Sequence, residues 1–339
     1  MNASALAETI GRLLAPGKGL LAADESTGTI TRRFQALGIP STSDTRRDYR
    51  HLLFTTPGIA EHLGGVILYD ETIRQNAADG RPLREVLASQ GIVPGIKVDT
   101  GAMELALHPG ERITEGLDGL RPRLAEYYAL GARFAKWRAV IAIGAGLPTA
   151  FCLAANARAM ARYAALCQEA ALVPIVEPEV LMDGAHSLAR CEEVTTAALS
   201  ATFAALAEHG VLLEGVLLKP NMVLAGQSAA EQASPEAVVE ATLRTLRRTV
   251  PAAVPGVVFL SGGQSPERAT AHLNLLNRAG AAPWALSFSF ARALQGPAME
   301  AWRGAAANVP AAQRAFAARV RLAGAARRGA YDPAMEPAA

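Results

Sequence analysis

Several residues able to do chemistry stand at the ends of short apolar runs: Asp24, Lys97, Lys136, Arg138, Glu177, Glu179, Lys219, Ser261, Ser289 and Arg292. Lys219 sits behind two leucines in GVLLKPN (215–221). An ordinary lysine has a pKa near 10.4, so only about one in 2,500 is neutral at pH 7. Burial or a nearby second cation lowers that value and frees a nucleophilic amine. Lys136, in ARFAKWR (132–138), is the expected second cation. A lysine imine is an electron sink that stabilises the carbanion left when a neighbouring carbon–carbon bond breaks. Glu177 and Asp24 are the candidate proton carriers. Lys136 and Arg138 share one strand face, as do Glu177 and Glu179, so Glu179 is expected to pair with Lys136 or Arg138.

Two further clusters suit anions. LSGGQSPE (260–267) leaves an apolar run through Gly262 and Gly263 into a capped helix, where backbone N–H groups and the helix start favour negative charge. Ser261 and Arg292 belong to this side. Ser26, Thr29 and Lys97 are the candidates for a second anion site across the same opening.

These residues need a common scaffold. Eight apolar runs recur in order: 19–26, 64–71, 93–99, 132–138, 173–179, 215–221, 256–263 and 284–290. Their polar ends lie at intervals of roughly 27–46 residues, the size of a strand–helix unit. Helical stretches at 153–170 and 188–208 fall between runs, and Ser-Pro-Glu at 234–236 and 265–267 reads as two helix starts. Alternation of this kind predicts a parallel sheet, and eight units predict a single-domain (β/α)8 TIM barrel over 1–339 rather than an open doubly wound sheet. Barrel enzymes work at the C-terminal ends of their strands, where the residues above would meet. Residues 1–18 read as a lead-in helix and a Pro-Gly turn, and the end of the chain, from about 325 to 339, as a short flexible tail.

Composition excludes some partners. A net charge of +2 over 339 residues favours neither nucleic acid nor an anionic membrane. The uncharged stretch 139–157 contains Gly144, Gly146 and Pro148, which suits a strand exit, a loop and a helix start better than a membrane span. No signal peptide is read at the N-terminus, and Cys152, Cys167 and Cys191 make a poor disulfide framework, so a cytoplasmic setting is expected. None of the six histidines closes an apolar run or forms a helical metal-binding pair, so no metal is expected.

The strings APGKGLLAADESTGTITRR, GGVILYDET, GIKVDTG, GARFAKWRAV, VPIVEPEVL, LLKPNMV, FLSGGQS and PWALSFSFARALQ occur in this order, and together they resemble class I fructose-1,6-bisphosphate aldolases from about residue 8 to 331. The resemblance implies a (β/α)8 barrel, a homotetramer, and reversible cleavage of fructose 1,6-bisphosphate to dihydroxyacetone phosphate and glyceraldehyde 3-phosphate in glycolysis and gluconeogenesis, without a metal. It implies that Lys219 forms the imine, Glu177 is the acid/base for carbinolamine dehydration, and Asp24 handles the C4 hydroxyl proton. Lys136 and Glu179 would be a supporting ion pair and Arg138 a substrate contact. Ser261, Gly262, Gly263, Ser289 and Arg292 would serve one phosphate side, and Ser26, Thr29 and Lys97 the other. Fructose 1-phosphate as substrate, another sugar phosphate, or a non-catalytic sugar-phosphate-binding or scaffolding barrel are the alternatives. Ala291 replaces a usual glycine, Phe290 a tyrosine, and Thr29 a serine. The chain ends in PAMEPAA and lacks the terminal tyrosine of the animal enzymes, its last tyrosine being Tyr331.

Overall fold

The computed structural model describes residues 2–280 and 282–336. Eight parallel strands close into a barrel, all eight within or overlapping the apolar runs. They are β1 (Gly19–Ala23), β2 (Leu63–Leu68), β3 (Val93–Lys97), β6 (Phe134–Ile141), β7 (Val173–Val180), β8 (Leu217–Leu218), β9 (Gly256–Phe259) and β10 (Ala285–Phe290). Between β3 and β6 the chain inserts an antiparallel hairpin, β4 (Gly101–Glu104) and β5 (Arg112–Glu115), which the sequence pattern had not suggested. Its strands are only four residues long and partly exposed, so they carry no apolar run. Strand β8 is much shorter than its run. Lys219 N–H still donates to Val176 O at 2.9 Å, but Pro220 has no N–H to offer and the ladder stops.

The helices pack outside, apart from the first. They are α1 (Ala3–Leu13), α2 (Thr27–Gln35), α3 (Ser43–Phe54), α4 (Asp70–Arg74), α5 (Leu83–Ala88), α6 (Leu120–Ala129), α7 (Ala150–Glu169), α8 (Leu188–Glu208), α9 (Pro235–Thr249), α10 (Pro266–Arg278), α11 (Arg292–Trp302) and α12 (Val309–Arg327). Ser234 and Ser265 cap α9 and α10, with proline in the first turn, as their tripeptides predict. The uncharged stretch resolves into the end of β6, a loop, and the start of α7 capped by Thr149. Among the described residues no helix is long and apolar enough to cross a membrane.

Period-two alternation sorts the strand side chains into two cores. Leu21, Ala23, Val66, Leu68, Trp137, Val176, Phe259, Phe288 and Phe290 face the helices. Leu20, Ala22, Ile67, Val93, Phe134, Val173, Ile175, Leu217 and Val258 fill the barrel and meet Leu6, Ile10 and Leu13 of α1. The lead-in helix is therefore a plug at the N-terminal end. It comes close because β2 offers glycines there: a Cβ on Gly64 would lie 2.6 Å from Leu13 O.

The tail differs from expectation. The buried guanidinium of Arg319 needs an acceptor, and Glu336 supplies one at 2.5 Å. Tyr331 is buried, donating from N–H to Asn274 Oδ1 (3.0 Å) and from its hydroxyl to Glu336 Oε1 (2.9 Å). The segment after α12 is thus anchored by Tyr331 and Glu336 rather than loose, with 332–334 exposed between them, and 337–339 lie outside the described residues.

Phe134 occupies space that Gly95 leaves free, since a Cβ at 95 would stand 2.3 Å from the ring. Gly95→Ala should destabilise the fold by about 1–3 kcal/mol through overpacking. The same change made in Phe134→Leu protein should cost less in denaturant melts. An equal cost in both backgrounds would clear the ring of blame.

Candidate active site

Above the apolar filling, the inward positions of the strands turn ionisable. Asp24 follows Leu20 and Ala22, Lys97 follows Val93, Lys136 and Arg138 follow Phe134, Glu177 and Glu179 follow Ile175, and Lys219 follows Leu217. All seven line one cavity of about 590 Å³ at the barrel mouth, with Ser26, Thr29, Ser261, Gly262, Ser289 and Arg292. A larger depression of about 820 Å³ lies on the outer surface between α9 and α10. Its lining holds surface arginines and glutamates but none of the buried ion cluster, so the chemistry belongs to the mouth.

Four of these groups make one buried cluster. Lys136 Nζ lies 2.7 Å from Asp24 Oδ2 and 3.2 Å from Glu177 Oε2, and Lys219 Nζ lies 3.2 Å from Glu177 Oε1. All four residues are buried. Strand register decides the partners. Arg138 stands opposite Glu177, and Val140 opposite Glu179, so Glu179 is two residues nearer the opening. It reaches Arg138 Nε and not Lys136. The expected Lys136–Glu179 pair is replaced by Arg138–Glu179, and Lys136 serves Asp24 and Glu177 instead. Lys136 is therefore no bare cation beside Lys219 but one corner of a set of two lysines and two carboxylates.

Burial alone would raise the carboxyl pKa of Asp24, but Lys136, Lys219 and Lys97 outweigh it and hold the group well below the usual carboxylate range. Glu177 is also held low, with burial opposed chiefly by Lys136 and then Lys219 and Arg138. Burial disfavours the charge on Lys136, yet Asp24 and Glu177 keep its pKa above the ordinary lysine value.

Anion-binding features flank the cluster. Ser26 caps α2 and shares a hydrogen bond with Thr29 (Oγ to Oγ1, 3.2 Å). Lys97 Nζ is tethered to Asp99, 2.6 Å from Oδ1 and 2.7 Å from its carbonyl oxygen. Across the mouth, Gly262 adopts φ +58°, which favours glycine, and its carbonyl accepts from Arg292 Nη2. Ser289 is buried and its hydroxyl, in the cavity wall, has no hydrogen-bond partner among the described residues. Gly263 falls outside the cavity lining: its N–H points to Met182 Sδ at 3.4 Å, on the exposed side of the loop. Ala291 lines the cavity at φ −107°, a backbone that needs no glycine. Phe290 faces the helices with Phe288, so its missing hydroxyl is not missing from the mouth.

Sequence reasoning missed Arg33, which lines the same cavity. The signal was present, because Ser26, Thr29 and Arg33 follow the i, i+3, i+7 spacing of one helical face. Among the described residues no three His, Cys, Asp or Glu side chains group to hold a metal ion. His272 instead is buried with Nδ1 2.6 Å from Gln264 Oε1, and the three cysteines are free and buried.

Residues 5–339 match the family model described as "Glycolytic: Fructose-bisphosphate aldolase class-I". A probable fructose-bisphosphate aldolase class 1 of Xanthomonas campestris is 54% identical over 302 residues, 89% of this chain and 90% of its own. The non-muscle-type fructose-bisphosphate aldolase of Lethenteron camtschaticum is 51% identical over 97% of this chain and 91% of its own. The aldolase in a solved ternary complex from Plasmodium falciparum, with TRAP and a small-molecule inhibitor, superposes with a TM-score of 0.96 at 48% identity, covering 97% of this chain and 96% of that one. A closed eight-stranded barrel, a lysine-centred ion cluster in its mouth and this agreement along nearly the whole length place the chain in the class I fructose-bisphosphate aldolase family.

Proposed function

We propose that the mouth carries out the family's reaction, reversible aldol cleavage of fructose 1,6-bisphosphate, with Lys219 as the covalent residue. The observation that carries this reading is the shared contact of Lys219 and Lys136 with Glu177 inside a buried cluster closed by Asp24. Glu177, 3.2 Å from Lys219 Nζ, takes a proton from the ammonium, and the freed amine adds to the C2 carbonyl. The carbonyl oxygen takes a second proton from the nitrogen, and Glu177 returns the first to the resulting carbinolamine hydroxyl, which leaves as water and gives the protonated imine. Asp24, held anionic by Lys136, accepts the proton of the C4 hydroxyl. The C3–C4 electron pair then flows into the protonated imine, and glyceraldehyde 3-phosphate departs. Protonation of the enamine at C3 and addition of water release dihydroxyacetone phosphate and regenerate the amine. No metal takes part in this class I scheme. Arg138, fixed by Glu179, contacts the substrate between the two phosphates.

Two anion-binding flanks support a bisphosphate over a monophosphate. Ser26, Thr29, Lys97 and Arg33 line one side, and Ser261, Gly262 and Arg292 the other. The cavity volume is in the range of small-molecule sites. Homotetramer assembly is implied by the family resemblance. Exposed Met103 and Leu107 on the β4–β5 hairpin and Phe151 at the start of α7 offer apolar surface for subunit contact. Light scattering would give the mass that decides it, and a monomer's mass would remove the tetramer. A cytoplasmic location is supported by an Arabidopsis thaliana relative named as cytosolic, 51% identical over 93% of this chain. Fractionation of the source cells would check it, and recovery outside the cytoplasm would remove it.

Borohydride trapping with fructose 1,6-bisphosphate should yield a reduced adduct on Lys219 by peptide mapping. Lys219→Met should abolish it and lower turnover by on the order of a thousandfold or more while the fold survives. Glu177→Gln should keep the adduct site but form it about 10²–10⁴-fold more slowly. An adduct on another lysine would overturn the site assignment, and normal trapping speed in the glutamine variant would remove Glu177 from its role.

The same cluster sets an acid limit. Asp24 and Glu177 have folded pKa values below their ordinary 3.8 and 4.5, so the unfolded chain binds more protons. Their stabilisation is fully present above about pH 4.5 and is lost as pH falls through the depressed folded values. Asp24→Asn should make stability fall less steeply below that pH, by up to about one proton in the slope. An unchanged slope in acid denaturation would show that Asp24 is not held low.

A further inference from the structure

Glu25 follows Asp24 but is turned away from the ion cluster into a different set of partners. It is buried, and its carboxylate holds two guanidiniums: Arg33 Nη1 at 2.5 Å from Oε1, and Arg50 Nη2 at 2.7 Å from Oε2. Gln295 fixes the carboxylate from a third direction, donating from Nε2 to Glu25 Oε1 (2.8 Å) and to Ala22 O on β1 (2.6 Å). Gln295 Oε1 in turn accepts from the Tyr49 hydroxyl (3.2 Å) and from Arg50 Nη1 (3.4 Å). Arg50 and Gln295 are both nearly inaccessible, 3% and 1% exposed, whereas the Arg33 side chain is 25% exposed and lines the mouth.

The Glu25–Arg50 pair already neutralises itself, so local stability does not require a third charge. Arg33 needs Glu25, however. The Arg292 guanidinium, although largely open to water, is held below its ordinary value by partial desolvation first and by the Arg33 charge next. Two like charges converging on one opening repel, and a free arginine side chain there would swing out into water.

We infer that Glu25 is a positioning residue for the sugar-bisphosphate reaction: braced by Arg50 and Gln295, it holds Arg33 against the wall of the mouth so that a phosphate group meets a preset guanidinium there. The inference rests on the reading of this mouth as a sugar-bisphosphate site. Glu25 borders the cavity, but its carboxylate is taken up by Arg33, Arg50 and Gln295 rather than by Lys219; it acts through Arg33. A preset guanidinium binds a phosphate without first having to be ordered, so its loss falls on KM more than on kcat.

The test uses steady-state kinetics with fructose 1,6-bisphosphate and competition by inorganic phosphate on the full chain. Glu25→Asp keeps the buried charge but withdraws it by one methylene from Arg33. It should raise KM and weaken phosphate competition by about tenfold, the scale of one charged hydrogen bond, with a much smaller change in kcat. Added to Arg33→Ala, it should change neither further. An equal KM increase in the Arg33→Ala background, or a drop in melting temperature with KM unmoved, would overturn the positioning role. If Arg33→Ala leaves phosphate competition intact, this wall is no phosphate site and the inference falls with it. If Arg33→Ala weakens competition but Glu25→Asp does not, only the positioning role falls. Should Glu25→Asp fail to fold, Gln295→Met leaves both arginine pairs in place. It must show a smaller KM rise that vanishes without Arg33, and persistence of that rise would reject the proposal.

Discussion

Two lysines and two carboxylates buried within hydrogen-bonding distance of one another constrain everything around them. Any one of these charges, buried alone, would cost several kcal/mol; paired and hydrogen-bonded, they are tolerated. The tolerance is geometric. A slip of one residue between β6 and β7 would turn Lys136 or Glu177 to the helix-facing side and strand its partner. The register that keeps the hydrophobic pattern in place is therefore the register that assembles the chemistry. An apolar misalignment and a catalytic one are the same event.

The rest of the barrel keeps that register rigid. Below the charges the interior is closed by strand side chains and by Leu6, Ile10 and Leu13 of α1, so the mouth opens to water on one side only. Glycines on β2 and β3 admit Phe134 and α1 at distances no side chain would permit. Outside, a separate aromatic and aliphatic core presses the helices onto the strands. The proximal chemistry sits on strands, and the anion-binding groups sit on helix starts and loops, Ser26 on α2 and Ser261 with Gly262 before α10. Covalent chemistry needs fixed positions within a fraction of an ångström, while phosphate recognition gains from backbone N–H groups and helix ends.

Most of this was legible because barrel strands obey a strict alternation. Eight apolar runs ending in polar residues located eight strands, and thirteen of the fourteen residues expected in the mouth line it, with Gly263 outside. What the pattern could not convey was distance between strands. Which carboxylate meets Lys136 depends on the register of β6 against β7, and no reading of a single strand contains it. The β4–β5 hairpin was invisible because its strands are only four residues long, mix polar with apolar side chains and are partly exposed, and strand signals weaken where only one face packs. The tail was read as loose from its composition, yet the buried charge of Arg319, seventeen residues earlier in sequence than Glu336, draws it in. Long-range electrostatic demand has no local signature.

The same limit explains why Arg33 and Glu25 went unremarked although both lie within a quoted motif. Ser26, Thr29 and Arg33 show their common face only once the segment is known to be a helix starting at Thr27. Glu25 shows its role only once α3 and α11 are known to deliver Arg50 and Gln295 to it. Asp24 and Glu25 are adjacent carboxylates with opposite assignments, one turned into the barrel toward Lys136 and the other outward toward two arginines. Both stand just past Ala23, the last residue of β1, where the chain turns toward α2, and their carboxylates take different partners. One dipeptide thereby serves both halves of the site: Asp24 stands in the charge cluster that surrounds the nucleophile, and Glu25 anchors the helix and the arginine that border the anion-binding rim.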